Sequence, residues 1–276
     1  MQVQAEYIKL PEIEKEFHFV ERAWLFLSET PGANITDGTI VPNGLPKIII
    51  PVFCDDAVIK YDNKCYSIKN SILFTGILKK AVQVRFTGRL IVVGVELNLM
   101  TTPKHPSLNF KCLGSSIKQV CHTFPQTSDP GCSHNIQQFV ISYLRNNFTL
   151  YDADTNVFTK AMHPALKHIY NEIIRNEGAV KCSEIAQKFG YTNRYIHMLF
   201  SDEFGISPKQ YSEIVRFKCI YKKLLLNNIK QKKNDYYEIF YDQSHFIKNC
   251  RKYAAHTPGE LFRNKNDIGK GYILAL

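Results

Sequence analysis

The stretch CSEIAQKFGYTNRYIHMLF, from Cys182 to Phe200, has the spacing of two short helices joined by a tight turn. Ser183 can cap the first helix, Gly190 can end it with a positive φ, and Thr192 can cap the second helix. The apolar residues that give each helix a buried face are Ile185, Ala186, Phe189, Ile196, Leu199 and Phe200. This pattern predicts a helix-turn-helix.

The second of these helices presents a polar outer face. Its outward residues are Asn193, Arg194, His197, Met198 and Ser201. Such a face can offer hydrogen-bond donors to base edges in a major groove of DNA. An ordinary pair of antiparallel helices has the same periodicity, so this motif alone leaves both interpretations open.

The motif is repeated fifty residues later, where Asp242 takes the place of Thr192. In each copy, apolar residues lie four and eight positions after the cap, and a Ser/Thr-Pro pair comes after them. In the first copy these are Ile196, Phe200 and Ser207-Pro208, and in the second they are Phe246, Cys250 and Thr257-Pro258. A helix from Pro208 to about Leu226, roughly 28 Å long, joins the copies. We therefore expect two outward helices on one face, about one turn of DNA apart.

The sequence DQSH at the head of the second copy also contains the residue types of a hydrolase triad. Triad members converge from separate loops, whereas neighbours on one helix turn diverge. The segment is therefore interpreted as a capped amphipathic helix, with Tyr253 on its apolar side, and no catalytic residue is predicted. Its polar side carries Gln243, Ser244, His245, Lys248, Arg251 and Lys252.

Positive charge is concentrated in the C-terminal part of the chain. Of the net charge of +10, residues 1–163 contribute +2 (16 Lys and Arg against 14 Asp and Glu) and residues 164–276 contribute +8 (19 against 11). This asymmetry favours a polyanionic partner such as nucleic acid, although a lysine-rich solvated surface gives the same sum. No run of about 18 apolar residues and no apolar signal core occur, which predicts a cytoplasmic protein without a membrane partner.

The N-terminal half has the pattern of a β-rich domain. Short β-branched or aromatic runs follow one another between turn signals: KIIIPVFC, AVIKY, CYSI, SILFTGIL, AVQVRF and LIVVGVEL, separated by VPNGLP, DDA, YDNK and FTGR. Trp24, Phe17 and Phe19 are expected in its core. A helical stripe around Ile136 to Leu144 predicts a helix that packs on the sheet or forms a dimer contact.

The two C-terminal motifs carry a family resemblance. EIAQKFGYTNRYIHMLFSDEFGISPKQY and YDQSHFIKNCRKYAAHTPGELFR resemble the two reader motifs of AraC/XylS transcription regulators of bacteria. More weakly, TIVPNGLPKIIIPVF and GRLIVVGVEL resemble the sensor domain of some of these regulators. The implied fold class is α+β and multidomain: a cupin-like β-rich domain (1–150) with a flanking helix, a linker (151–163), a double helix-turn-helix domain (164–265) and a tail (266–276).

The resemblance also implies roles for individual residues. Base reading would fall to Asn193, Arg194, His197 and Met198 in the first copy and to Gln243, Ser244, Ile247 and Lys248 in the second. Backbone phosphates would be contacted by Lys209, Lys218, Lys222, Lys230, Lys232, Lys233, Arg251 and Lys252. The implied function is transcription activation on double-stranded DNA with RNA polymerase as a partner, and the β-rich domain would bind a small effector, dimerise, or both.

Two other functions remain open at this point. Asp235 and Ile239 stand before the second reader motif, at positions where the family favours small or glycine residues. These departures would suit a degenerate homologue that no longer reads DNA and acts through protein contacts. The cluster Cys112, Cys121, His122, Cys132 and His134 would suit a thiol or metal enzyme on the N-terminal sheet. Its spacing matches no standard zinc pattern, and the eight cysteines contain no CxxC pair, so neither metal, cofactor nor disulfide framework is predicted.

Overall fold

The computed structural model describes residues 4–29, 35–102, 113–121, 133–149, 162–226 and 243–263. The elements are β1 Gln4–Lys9, α1 Pro11–Glu16, β2 Val20–Glu29, β3 Ile35–Ile40, β4 Lys47–Tyr61, β5 Lys64–Ser67, β6 Ser71–Thr75, β7 Val82–Leu97, β8 Ile117–Cys121, α2 Ser133–Leu144 with a π-helical turn Arg145–Thr149, α3 Pro164–Arg175, α4 Cys182–Phe189, α5 Asn193–Phe204, α6 Pro208–Leu226, α7 Gln243–Ala254 and α8 Pro258–Arg263. The predicted α+β class, with a β-rich N-terminal half and a helical C-terminal half, is confirmed. The domain limits stay a prediction, because nearly all of the linker lies outside these ranges. Of the helices described, none is long and apolar enough to cross a membrane.

The strands form one antiparallel sheet in the order β1-β2-β7-β4-β6-β8, with β3 beside β7 and β5 beside β4. Side chains of the central strands alternate between two hydrophobic clusters: Leu90 and Val92 lie in one, and Ile91 and Val93 lie in the other. Because both faces are covered, the strands appear in the sequence as continuous apolar runs instead of alternating ones.

Two of the predicted turns are bulges inside longer strands. The pairing of β4 with β7 shifts register between Cys54 and Asp56. Opposite this shift, Gly88 has a φ of 67°, and the Asp55 carboxylate accepts a hydrogen bond of 2.7 Å from the backbone N–H of Arg89. Bulges bend a strand pair without ending it, so the prediction of turns at DDA and FTGR was wrong. The YDNK turn is confirmed, with positive φ at Asp62 and Asn63.

Helix α2 covers one face of the sheet. Its residues Ile136, Val140 and Leu144 are buried in the same cluster as Ile48 and Val93. This packing on the sheet is the first of the two expected roles. Phe17, Phe19 and Trp24 are buried in the β-rich half as predicted.

The second hydrophobic cluster continues from the sheet into the C-terminal helices. Trp24 and Phe86 of the sheet belong to the same cluster as Tyr211 and Phe217 of α6. The loop before β4 contacts α6 directly: Gly44 has a φ of 84°, and a Cβ atom there would lie 3.2 Å from the Tyr211 ring. The β-rich half therefore packs on the helix that joins the two predicted readers.

A group of buried charges lies at this contact. The Glu96 carboxylate is fully buried and lies 2.9 Å from the Arg22 guanidinium and 3.2 Å from the Lys47 ammonium. It also accepts a hydrogen bond of 2.8 Å from Asn43. Burial lowers the pKa of Lys47 to about 8, and burial together with the charge of Arg22 lowers the pKa of Lys218 on α6. A buried carboxylate is tolerated only with such partners, and this group ties β2, β4 and β7 together.

Candidate nucleic-acid interface

The first motif has most of the local signals that its sequence predicts. Gly190 ends α4 with a φ of 69°, and the Thr192 hydroxyl caps α5 by accepting a 3.1 Å hydrogen bond from the Tyr195 N–H. The predicted cap at Ser183 was wrong, because α4 begins at Cys182. The N-terminus is instead closed by Glu184, whose carboxylate accepts from the Lys181 N–H at 3.1 Å.

Helix α5 separates its apolar and polar residues as expected, except that Leu199, expected to be buried, and Ser201, expected to face outward, are both half-buried. Ile196 and Phe200 are fully buried, and Phe204 extends the same stripe. The predicted base-reading residues are all exposed: Asn193, Arg194, His197 and Met198. Met198 is 52% exposed, so its thioether is accessible to a ligand on this face.

Helix α3 holds this motif from behind, a role that the sequence reasoning missed. The buried Glu172 carboxylate lies 2.7 Å from the Lys188 ammonium of α4, and this hydrogen-bonded partner lowers the pKa of Glu172. The His163 ring lies 3.2 Å from the Tyr195 hydroxyl at the start of α5. The signal in the sequence was a glutamate between Ile169 and Ile173, within an otherwise apolar stripe.

The second reader helix, α7, begins at Gln243, one residue after the predicted cap. Phe246, Cys250 and Tyr253 are buried, as predicted. Ile247 is half-buried, and the exposed polar residues are Ser244, Lys248, Arg251 and Lys252. The side chains of Gln243 and His245 lie outside the described part, as do residues 227–242 with the predicted Lys230, Lys232 and Lys233 and the departures Asp235 and Ile239.

The two motifs, fifty residues apart, also share backbone features that the sequence analysis did not predict. Gly205 ends α5 with a φ of 69°, and Ala255 follows α7 with a φ of 57°. Each copy then has a capping box at the same offset. In the first, the Ser207 hydroxyl accepts from the Gln210 N–H at 3.2 Å, and the Gln210 side chain accepts from the Ser207 N–H at 3.3 Å. In the second, the Thr257 hydroxyl accepts from the Glu260 N–H at 3.4 Å, and the Glu260 carboxylate accepts from the Thr257 N–H at 2.7 Å.

Both reader helices pack on α6, the predicted connecting helix, which runs from Pro208 to Leu226. The Phe200 ring of α5 lies 5.5 Å from the Tyr211 ring, and the Tyr253 ring of α7 lies 5.1 Å from the Phe217 ring. An open groove of about 590 Å³ separates the readers there. It is lined by His197, Ser201, Gly205, Ile206, Ser207, Lys209, Gln210, Glu213 and Lys252.

The predicted phosphate contacts on α6 differ in their surroundings. Lys209 is exposed and lines the groove, and Lys222 is half-buried. Lys252 of α7 lies 3.3 Å from Glu213 within the groove. Lys218 is half-buried, and its pKa responds to burial and to the charges of Arg22 and Glu96 in the β-rich half, so it is not counted among the proposed phosphate contacts.

The described part of the chain holds no group of three or more His, Cys, Asp or Glu residues arranged for a metal ion. Of the candidate metal cluster, Cys112, His122, Cys132 and the Cys121 side chain lie outside that part, while His134 is exposed. The described cysteines Cys54, Cys65, Cys182, Cys219 and Cys250 are free thiols.

Comparison with known proteins gives matches among solved structures. No protein-family model and no curated protein sequence matches the chain. A point variant of apo ToxT from Vibrio cholerae strain SCE256 is 12% identical with a TM-score of 0.50, covering 87% of this chain and 97% of that one. Another ToxT structure from Vibrio cholerae is 11% identical (TM-score 0.45; 95% and 98% covered), and the AraC-like transcriptional activator CuxR is 11% identical (TM-score 0.31; 79% and 80% covered). The chain therefore shares the fold of ToxT, and the resemblance stated from its C-terminal motifs is confirmed at the level of the fold.

Proposed function

We propose that the protein is a sequence-specific DNA-binding regulator of transcription, acting as an activator. One observation supports this most strongly: two helices with the same left-handed ending and the same following capping box stand fifty residues apart in the chain, and both pack on one connecting helix. Repeated helices that share a support and expose cationic and amide side chains suit two successive major-groove segments.

The proposed reading surface lies on α5 and α7. In α5, Arg194 would donate to guanine, Asn193 would pair with adenine, and Met198 would offer an apolar contact to a thymine methyl group. In α7 the proposed base-reading residues are Gln243, Ser244, Ile247 and Lys248. These contacts would supply selectivity.

The flanking cations would supply most of the affinity by neutralising phosphates. The proposed set is Lys209, Lys222, Arg251 and Lys252, together with Lys230, Lys232 and Lys233 outside the described part. Binding should therefore weaken steeply as salt concentration rises. The β-rich half would modulate this binding through an effector or a dimer contact, and RNA polymerase is the proposed partner of the bound protein.

Selection of bound duplexes from a random DNA library tests the proposal. We expect enrichment of one sequence with two half-sites about one helical turn apart. The selected duplex should then bind more tightly than a scrambled duplex of the same length at physiological salt. Lys60→Ala, an exposed lysine on β4 of the β-rich half, serves as the charge-matched control and should leave both affinities unchanged. Salt-dependent binding with no enriched sequence would overturn sequence-specific regulation, and no binding at all would favour the degenerate homologue.

A further inference from the structure

A small part of the β-rich half contacts the ends of both reader helices. It consists of residues 76–81, which follow β6, and residues 113–116, which precede β8; we call these two segments the brace. They are hydrogen-bonded to each other, because the Gly76 N–H donates to the Ser116 carbonyl and the Ile77 N–H donates to the Gly114 carbonyl, both at 3.0 Å. The brace is thus one unit of structure.

One end of the brace lies against the first reader. Gly114 has a φ of 50°, and a Cβ atom there would lie 3.4 Å from the carbonyl oxygen of Gly205. Gly205 is the residue that ends α5. The brace therefore approaches the C-terminal end of this helix closely, with room for about one methyl group between Gly114 and Gly205.

The other end of the brace is bonded to the second reader. The Ala81 N–H donates to the Lys252 carbonyl at 3.0 Å. Lys252 lies in the last turn of α7, where carbonyl groups have no partner within their own helix. Ile77 and Leu78 are buried, and they belong to the same extended hydrophobic cluster as Tyr253 and Ala254.

The brace is itself held in place by the sheet. The Lys79 N–H donates to the Tyr61 hydroxyl at 3.1 Å, and Tyr61 is buried at the end of β4. Gly76 fits so closely that a Cβ atom there would lie 2.1 Å from the Gly114 carbonyl oxygen. Such packing leaves little freedom for either segment to move alone.

Helix α5 is held by α3, α4 and α6, whereas α7 packs on α6 and α8. The Phe200–Tyr211 and Phe217–Tyr253 contacts each lie toward the C-terminal end of a reader helix. A further attachment at the end of α7 restricts how that helix can pivot about its ring contact. The brace supplies this attachment through Ala81, and the same unit approaches the end of α5 at Gly114.

We propose that the brace fixes the separation and relative orientation of α5 and α7, and so determines which spacing of two DNA half-sites the protein accepts. Ala81 and Gly114 are the positioning residues in this proposal, which rests on the proposed function. One inserted base pair moves the second half-site by about 3.4 Å and rotates it by about a tenth of a turn. Only a protein whose readers are fixed relative to each other discriminates against such an insertion.

The test removes the hydrogen bond to α7 without changing a DNA-facing residue. Ala81→Pro deletes the N–H donor, and Lys80→Pro is the matched control, because it places the same ring one residue earlier and keeps that donor. Tyr61→Phe is a gentler variant that removes the acceptor for the Lys79 N–H and leaves Ala81 untouched. Thermal melting confirms that each variant is folded.

Two measurements are made on each folded protein. The first is the affinity for the duplex selected by the wild type, compared with the same duplex carrying one extra base pair between its half-sites. We expect about a tenfold loss for the wild type and Lys80→Pro, and less than about a threefold loss for Ala81→Pro. The second is backbone hydrogen exchange in α7 without DNA, which should be faster in Ala81→Pro than in Lys80→Pro.

The outcomes separate the brace from the proposed function. Unchanged spacing discrimination with unchanged exchange in Ala81→Pro would overturn the inference while leaving DNA binding intact. If no specific duplex is found, the proposed function fails, and exchange in the free protein still decides whether the brace holds α7. If Ala81→Pro does not fold, Tyr61→Phe decides, and the inference requires it to accelerate exchange in α7.

Discussion

The two reader motifs have the same backbone signals but different interiors. In the first, Phe200 and Phe204 are fully buried, with ring centroids 4.7 Å apart. The matching residues of the second, fifty positions later, are Cys250 and Ala254, also buried. The first reader thus places two rings in the interior at these positions, whereas the second places two small side chains there. The comparison teaches that turn residues at the helix ends determine where each helix stops in the sequence. The stability of each helix depends instead on which side chains it buries and on what they pack against.

The largest difference between the motifs should appear in stability. Phe200→Ala should lower the free energy of unfolding by about 3–5 kcal/mol, because it removes a buried ring and leaves a cavity. Cys250→Ala, at the matched position, should cost about 1 kcal/mol. Denaturant unfolding followed by circular dichroism measures both. Equal losses would show that the two interiors contribute alike.

The next effect concerns DNA affinity. Arg194→Ala should weaken binding to the selected duplex by about 1–3 kcal/mol and leave binding to random duplex nearly unchanged. Lys248→Ala makes the same comparison in the second reader. Fluorescence anisotropy on both duplexes at one salt concentration measures the losses. Should Arg194→Ala lose equally on both duplexes, Arg194 would contact only phosphates.

The cap of the first reader should have a smaller effect. Thr192→Ala removes the acceptor for the Tyr195 N–H and should cost about 1 kcal/mol of stability. Thr192→Ser keeps a hydroxyl at the same position and is the control. Thermal unfolding compares the two variants, and an equal loss in both would mean that the hydroxyl does not stabilise the helix.

The smallest effect should have opposite signs in the two copies. Ala255 has a positive φ, which costs a residue with a Cβ atom about 1 kcal/mol, so Ala255→Gly should stabilise the protein by up to that amount. Gly205→Ala, at the matching position, should destabilise it by about 1 kcal/mol. Unfolding midpoints in denaturant give both signs. Destabilisation by Ala255→Gly would mean that the glycine's added freedom in the unfolded chain outweighs the relieved strain.

The helical half was predictable from capping residues, glycines at helix ends and the period of apolar residues. Gly190 and Thr192 set a helix boundary by chemistry within a few residues, and the period of the apolar residues then identified the buried face of α5. The same reasoning misplaced the cap at Ser183, because Ser, Thr and Asp are the usual capping residues and the actual contact came from Glu184. The roles of Glu172 and His163 depend on contacts between helices, which spacing along the chain does not give.

The sheet was harder to predict, since its pairing is not local. β1 to β3 and β8 were not predicted at all, and β4 and β7 were each predicted as two strands. Asp55 and Gly88 look like turn residues in sequence, and only their position opposite each other shows that they form a bulge. The buried Glu96 likewise depends on Arg22 and Lys47, which are remote along the chain.

The hydrogen bond from Ala81 to Lys252 joins residues 171 positions apart, which has a consequence during synthesis. At roughly 5–20 residues per second, a ribosome adds Ala81 about ten to thirty seconds before Lys252. During that interval the Ala81 N–H has no partner in α7. The attachment of the second reader to the β-rich half is therefore a late step in the maturation of the molecule.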